Sequence, residues 1–325
     1  MARHSELVTI KGTDLEITKL SLGSAPLGGL FQKVKEADSD ELLTTVLDAG
    51  MRYIDTAPLY GYGTAERRIG RIVQKTTKPY ALSTKVGRLL RPGVNTELDK
   101  YPDANPNEEI YFDSTPDGIR KSLHDSLERL GVPSVQIVYI HDADDWISDA
   151  VNVVFPVLAE LRSQGLIKAI GIGMNWCDSA AAIMKDTDLN IALIAGRYTL
   201  LDQSAQAELY PLALKKNVSI VAAGVYNSGV LARPERGSNY DYLPASDEII
   251  ARAKKIGEFL KGYGVSLTSA ALQFPLRHPA VATVLTGAAN TSEIKANIAD
   301  FDKELPANLW REMESAGLIE PCCSK

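Results

Sequence analysis

The sequence predicts an α/β fold, a single closed (β/α)8 barrel of the TIM type with an N-terminal β-hairpin and long βα loops at its active face. Three observations predict it. Eight short β-branched runs alternate with longer amphipathic patterns over 325 residues. Strict alternation makes the sheet parallel, and eight such units in about 300 residues suit a closed barrel better than an open doubly wound sheet. No linker interrupts the pattern, so residues 1–325 are expected to form one domain.

The hairpin comes first, with strands over residues 6–10 and 15–20 around a turn at Lys11-Gly12-Thr13-Asp14. Barrel strands are expected over 19–23, 53–56, 80–85, 137–141, 168–172, 191–196, 218–222 and 281–285. The clearest helix covers 116–130, with Ser114 or Thr115 as cap, Pro116 in the first turn and Gly131 at the exit. Its apolar stripe of Ile119, Leu123, Leu127 and Leu130 is what a barrel-covering helix needs. Similar patterns cover 40–47, 151–161, 248–263 and 266–276. Longer insertions follow the third strand (88–113), the fourth (142–148) and the seventh (227–245), where such barrels build their active face.

Composition narrows the function. At 45% hydrophobic and 23% charged the chain can bury a substantial core, which excludes disorder. A net charge of −6 without long like-charged blocks points away from nucleic acid and anionic membranes and toward a small neutral or cationic ligand. No run approaches a spanning helix, and the start lacks a signal-peptide core, so a cytoplasmic monomer or homodimer is expected. Cys177, Cys322 and Cys323 make neither a disulfide framework nor a spaced zinc site, and no metal is expected. The Cys322-Cys323 pair lies where a prenylation box would begin, but the residues that follow do not continue one.

Barrel enzymes place chemistry at the C-terminal strand ends. Here the second strand ends in Asp55-Thr56-Ala57-Pro58-Leu59-Tyr60-Gly61, the third in Ser83-Thr84-Lys85, the fourth in Ile140-His141-Asp142 and the fifth in Gly171-Ile172-Gly173-Met174-Asn175. An acid, a phenol, an amine and an imidazole thus converge on one mouth. Taken singly, each has a commoner structural role: a helix cap, a rim aromatic, a solvated lysine, a core histidine.

Together they resemble the catalytic tetrad of the aldo-keto reductase superfamily, Asp55, Tyr60, Lys85 and His141. The resemblance runs from Leu20 to about Phe301 and is also carried by Val86-Gly87 and by Arg197-Tyr198-Thr199-Leu200-Leu201-Asp202. Within it, Lys85-Val86-Gly87-Arg88-Leu89-Leu90-Arg91-Pro92 and Gly173-Met174-Asn175 are similar to the aldose 1-dehydrogenase branch, which acts on D-threo-aldoses such as L-fucose, on L-galactose and on D-arabinose. The resemblance implies that Tyr60 exchanges the proton, that Lys85 lowers its pKa, that Asp55 holds Lys85 charged, and that His141 orients the substrate oxygen. The sugar would be oxidised at its anomeric carbon to a lactone.

Two stretches mimic a Rossmann fingerprint, Gly61-Tyr62-Gly63 and Gly171-Ile172-Gly173, but Glu66 and Trp176 stand where the third glycine belongs. The resemblance instead implies a dinucleotide lying across the barrel mouth, held by Asn175 at the carboxamide and by Gly287, Glu293 and Asn297 at the adenosine end. Glu293 replaces the family arginine that grips the NADP phosphate, so NAD is favoured, with NADP as the alternative. Ala195 and Ala223 replace the usual nicotinamide-contacting glutamine and tyrosine. Trp146, with the acidic loop Asp142, Asp144 and Asp145, is expected to contact the sugar, together with Trp176 and Tyr226. Competing readings are a pyridoxal dehydrogenase, an NADPH-dependent aldehyde reductase, and a non-catalytic auxiliary subunit of the same fold.

Overall fold

The eight β-branched runs pair as eight parallel strands and close on themselves. They are β1 (Leu20–Gly23), β2 (Tyr53–Asp55), β3 (Ala81–Val86), β4 (Ile137–His141), β5 (Ala169–Met174), β6 (Ile191–Ala195), β7 (Ser219–Ala223) and β8 (Val281–Gly287), with β8 hydrogen-bonded to β1. A computed structural model describes residues 3–322; Cys323 and Lys325, on which the lipidation question turns, lie outside them. The structure bears out the barrel.

Helices α1 (Glu36–Asp48), α2 (Thr64–Val73), α3 (Pro116–Leu130), α4 (Phe155–Ser163), α5 (Cys177–Asp186) and α6 (Leu209–Lys216) supply the first six crossovers. The seventh carries two, α7 (Asp247–Lys261) and α8 (Leu267–Gln273), and α9 (Thr291–Asp302) and α10 (Leu309–Ser315) follow the last strand. Thr115 caps α3 by accepting from the Gly118 N–H, and Gly131 ends it in the left-handed region at φ 63°. Two expected helices differ from their patterns at prolines. The one over 266–276 stops at Gln273 and continues as a 3-10 turn, Phe274–Arg277, because Pro275 has no N–H to give. The one over 151–161 is entered through a wide π turn, Ala150–Val154, immediately before Pro156. No described helix is long and apolar enough to cross a membrane.

Period-two alternation decides which strand residues face inward. Tyr53, Ala81, Ile137, Tyr139, Ala169, Ile191, Leu193, Val221 and Leu285 fill the barrel interior, while Ile54, Leu82, Val138, Ile140, Ile170 and Ala192 pack outward under the helices. The hairpin, Leu7–Thr9 paired with Glu16–Thr18, closes the N-terminal end by adding Ile10, Leu15 and Ile17 to the interior cluster. The insertion after β3 opens with a two-stranded ribbon, Arg88–Pro92 against Glu108–Phe112, and the one after β7 holds a short hairpin, Asn239–Tyr240 against Leu243–Pro244.

Two glycines let the mouth assemble. A Cβ on Gly28 would lie 2.5 Å from the Tyr60 carbonyl carbon, and one on Gly61 would lie 2.1 Å from the Gly28 oxygen with φ already at +64°. The loop after β1 therefore rests directly on the backbone that carries Tyr60. Gly61→Ala should destabilise the chain by about 2 kcal/mol or more, from a backbone clash added to left-handed strain. Gly317 has the same φ of +64° and open space around it, so Gly317→Ala should cost only about 1 kcal/mol. Urea unfolding of both variants checks this; equal losses would show that the close approach contributes nothing.

Candidate active site

Asp55, Lys85 and His141 occupy inward-facing positions at the ends of three adjacent strands, β2, β3 and β4. Asp55 and Lys85 are each 1% exposed. The Lys85 ammonium donates to Asp55 Oδ1 at 2.8 Å, Asp55 Oδ2 at 2.7 Å and the Thr56 carbonyl at 2.9 Å, which uses all three of its protons. Ser83 donates to Asp55 Oδ1 at 2.7 Å and also meets the Tyr53 hydroxyl, which in turn meets the Tyr139 hydroxyl at 2.8 Å. Room for this layer comes from β5. A Cβ on Gly171 would strike the Tyr139 ring at 2.6 Å, and one on Gly173 would press on Lys85 Cε at 3.3 Å.

Tyr60, in the turn between β2 and α2, lies with its ring centroid 4.7 Å from the Lys85 ammonium and 6.2 Å from the His141 ring, edge to face. Sequence reasoning expected Lys85 to lower the phenol's pKa; the direction here is the opposite. Burial, with Asp55 adding to it, pushes Tyr60 well above its ordinary range. The physical reason is burial of the phenol, which Lys85 does not offset because it faces the ring and spends its hydrogen bonds on Asp55 and Thr56. His141 moves the other way: burial, with Lys85 and Arg88 adding repulsion, brings it down to about 3 despite the attraction of Asp142. It is a neutral imidazole whose Nδ1 has no hydrogen-bond partner.

Two cavities meet at Tyr60. The larger, of about 450 Å³, runs from Gly23, Asp55 and Tyr60 past Ala195, Ala223 and Leu285 to Gly287 and Glu293. The smaller, of about 250 Å³, is lined by Tyr60, Lys85, His141, Asp142, Asn175 and Lys100 over a floor of Leu59, Met174 and Leu193. Ala195 and Ala223, where the resembled family carries larger side chains, leave the larger cavity wide. Backbone of Gly224, Gly229 and Gly287 is exposed to it, no lysine or arginine lines it, and the buried Thr291 hydroxyl at the start of α9 has no partner. An elongated ligand that hydrogen-bonds to backbone, such as a dinucleotide, fits these walls.

The expected cofactor contacts divide. Asn175 lines the smaller cavity and donates to Asp142 Oδ1 at 3.3 Å, while Gly287 and Glu293 line the larger. Glu293 also serves its helix, accepting from the Ala289 N–H and the Asn290 amide, both at 2.8 Å. Asn297 is turned inward: it donates to Thr286 Oγ1 and the Gly287 carbonyl and accepts from the Tyr226 hydroxyl at 2.9 Å. It braces the wall and lines neither cavity.

The expected substrate contacts need correction. Trp146 donates to the Asp142 carbonyl at 3.0 Å and packs on Phe112, outside both cavities. Trp176 is 55% exposed with the Arg197 guanidinium 4.5 Å from its ring. Tyr226 walls the larger cavity, and Asp144 and Asp145 line neither. The indoles were placed by proximity in sequence to the strand ends; their side chains pack against neighbouring loops instead. Sequence reasoning missed Leu30, Lys100, Tyr101 and Tyr242, which complete the smaller cavity from the insertions after β1, β3 and β7. Only the length of the insertions after β3 and β7 hinted at Lys100, Tyr101 and Tyr242, and nothing pointed to Leu30.

Two buried guanidiniums hold these insertions. Arg68 donates to the Leu27 and Val34 carbonyls and to Asp103, tying the loop after β1 to the insertion after β3. Arg197 donates to the Asn175 carbonyl, Asp202 and Asp241, tying the loops after β5, β6 and β7.

A neutral buried His141 has a consequence for stability. The unfolded chain's histidine takes a proton near 6.5 and the folded one only near 3, so the folded state loses stability as pH falls through that window. The slope is up to about 1.4 kcal/mol per pH unit. Denaturant unfolding between pH 7 and 4 should show a shallower acid decline for His141→Gln than for the wild type; parallel curves would contradict a neutral His141.

Comparison with known proteins agrees with this geometry. Residues 19–317 match the model of the aldo/keto reductase family. The chain is 39% identical to a pyridoxal 4-dehydrogenase of Microbacterium luteolum, over 98% of this chain and 99% of that protein. It is 38% identical to a D-threo-aldose 1-dehydrogenase of a Pseudomonas species, over 94% and 95%. The solved glycerol dehydrogenase of Gluconobacter oxydans superposes with a TM-score of 0.79 over 98% of both chains; at 22% identity it speaks to the fold alone. With the barrel, the strand-end constellation and the family match in agreement, the chain belongs to the aldo/keto reductase family, whose members are NAD(P)-dependent oxidoreductases.

Proposed function

We propose that this oxidoreductase converts a cyclic hemiacetal to a lactone, with NAD as the preferred acceptor. The observation that carries the reading is the position of Tyr60 at the junction of the two cavities, backed by Lys85 and Asp55 and facing His141. A cyclic hemiacetal presents a hydroxyl and a hydrogen on one carbon, so a ring seated in the smaller cavity offers its hydroxyl to Tyr60 and His141 and its hydrogen toward the larger. A bound oxidised nicotinamide supplies the hydride acceptor and a positive charge beside the phenol. Tyr60, its own proton released to solvent when that positive charge is bound, takes the hydroxyl proton at its phenolate oxygen, Lys85 keeps a fixed cation behind the ring, and Asp55 holds that cation in place. His141 donates its single N–H to the substrate oxygen and fixes its direction. Enclosure by Leu30, Leu193 and Tyr242 keeps water from the reacting carbon.

An aldose of the L-fucose, L-galactose or D-arabinose type is the leading substrate, supported by the D-threo-aldose dehydrogenase relative. Pyridoxal is the second, because it also closes to a five-membered hemiacetal, because the pyridoxal 4-dehydrogenase relative covers the whole chain, and because Leu59, Tyr101, Met174 and Tyr242 make an apolar slot suited to a flat ring. Both substrates undergo the same reaction at the same kind of carbon. The test is a panel of aldoses, pyridoxal and simple aldehydes assayed with NAD and NADP. Turnover of a hemiacetal with lactone as product is expected, and Tyr60→Phe should lower kcat about 100-fold or more while cofactor affinity stays within a few-fold. Brisk reduction of simple aldehydes with no hemiacetal oxidation would overturn the reading.

The NAD preference rests on charge. The larger cavity has no cation for a 2′-phosphate and places the Glu293 carboxylate at its far end. Glu293→Gln keeps an acceptor for the Ala289 N–H and removes the charge, so NADP use should improve relative to NAD by about 1 to 3 kcal/mol. A wild type that already prefers NADP, or an unmoved ratio of kcat/KM values, would count against it.

A further inference from the structure

The charges around the smaller cavity do not balance. Lys85 is matched by Asp55, with Nζ 2.7 Å from Oδ2. Asp142 is matched by Arg88 at 3.0 Å. His141 is neutral, since burial brings it down to about 3. Tyr60 and Tyr101 are neutral phenols, both pushed up by burial. That leaves Lys100, a half-buried residue that lines the cavity and whose ammonium has no carboxylate partner among the described residues. Its Nζ lies 5.5 Å from the centroid of the Tyr101 ring, a weak contact that leaves its protons free.

Lys100 is held where it is. Its N–H donates to the Glu97 carbonyl at 3.0 Å, its carbonyl accepts from the Phe31 N–H at 2.8 Å, and Asp103, three residues on, is clamped by Arg68. The Glu97 carboxylate, the acid nearest in sequence on the inward side, is engaged by the Tyr62 hydroxyl at 3.2 Å. An unmatched ammonium above an apolar floor of Leu59, Met174 and Leu193 gains most from an anionic oxygen, because little water competes for it there. A nicotinamide cation bound in the neighbouring cavity would be matched by the ionised Tyr60, which still leaves Lys100 without a partner.

We infer that Lys100 is the specificity-determining residue of this enzyme and that its preferred substrate is a cyclic hemiacetal bearing an anionic oxygen away from the reacting carbon. This rests on the hemiacetal reading above and, within it, ranks an anionic hemiacetal ahead of the neutral aldoses that the sequence resemblance favours. Two substrate chemistries supply such an oxygen: the ring hydroxyl of a hydroxypyridine hemiacetal such as pyridoxal, ionised beside a protonated ring nitrogen, or the carboxylate of a sugar acid. A neutral aldose has none. Since the contact is remote from the bond that breaks, it acts alike on bound substrate and transition state, and its loss falls on KM rather than kcat.

The experiment compares wild type, Lys100→Gln and Lys100→Arg with pyridoxal, D-galacturonate and L-fucose, all with NAD. For the acidic substrate the enzyme prefers, Lys100→Gln should lower kcat/KM tenfold or more through KM, and Lys100→Arg should restore most of it. With L-fucose the fall should be threefold or less. Whether pyridoxal or D-galacturonate shows the effect identifies the source of the anion. Equal falls for acidic and neutral substrates, or no fall, would overturn the proposal while leaving the hemiacetal reading intact. If the wild type oxidises no hemiacetal, that reading fails separately, and calorimetry with pyridoxine and D-galacturonate still decides the point: binding weakened tenfold by Lys100→Gln upholds the anion site, and equal or absent binding overturns it.

Discussion

An ammonium and a carboxylate, each 1% exposed and less than 3 Å apart, sit where the barrel interior gives way to its mouth. Taking two ions out of water costs several kcal/mol for each, and only close pairing with further hydrogen bonds offsets it. Asp55 and Lys85 meet that condition through Ser83 and the Thr56 carbonyl, and the phenols of Tyr53 and Tyr139 continue the polar layer below. The surroundings are arranged around this pair. Glycines at 171 and 173 make way for Tyr139 and the lysine stem, and the turn that brings Tyr60 over Lys85 closes only because Gly28 and Gly61 touch without side chains. A protein that needed only stability could fill this space with aliphatic residues, so the pair is better understood as a fixed charge kept for its neighbour.

Side-chain size divides the mouth into two halves. Strands β2 to β4 bring Asp55, Lys85 and His141 to it, which fill it, whereas β1, β6, β7 and β8 end in Gly23, Ala195, Ala223 and Gly287, which leave it hollow. Reactive groups thus stand beside an empty trough instead of being buried under it. Ala195 and Ala223 looked like losses against the family pattern; in three dimensions they widen the trough, and the nearby aromatic Tyr226 is pinned to Asn297 as part of its wall.

The barrel was legible because period-two alternation and β-branched runs are local signals, and so were the strand-end residues, whose inward direction follows from the same alternation. Helices over Thr64–Val73, Cys177–Asp186 and Leu209–Lys216 went unread because each is short and interrupted by glycine, serine or proline, although the first is strongly amphipathic. What could not be read was anything decided by contacts between loops. Trp146 and Trp176 stand next to site residues in sequence, yet Phe112 and Arg197 draw their rings away. Lys100 and Tyr242 are far from any strand end and reach the cavity only because their loops fold back over it. The sign of the Tyr60 shift was equally hidden, since it depends on how deeply the surrounding loops bury the phenol.

Arg68 and Arg197 have a consequence for time scale. Each guanidinium is 6% exposed or less and bridges loops that arise from different strands. Lifting any one of those loops strands a buried cation without its acceptors, a state several kcal/mol uphill and correspondingly rare. The rim therefore moves as a unit on the slow side of loop motion, and fast entry and exit fall to single side chains. Phe31 and Tyr242 are suited to it: each is about half exposed, borders the larger cavity, and sits on a left-handed backbone that holds its Cα in place while χ1 turns. Rotation of an exposed side chain is a nanosecond event, whereas lifting a loop braced by a buried guanidinium is a far rarer one.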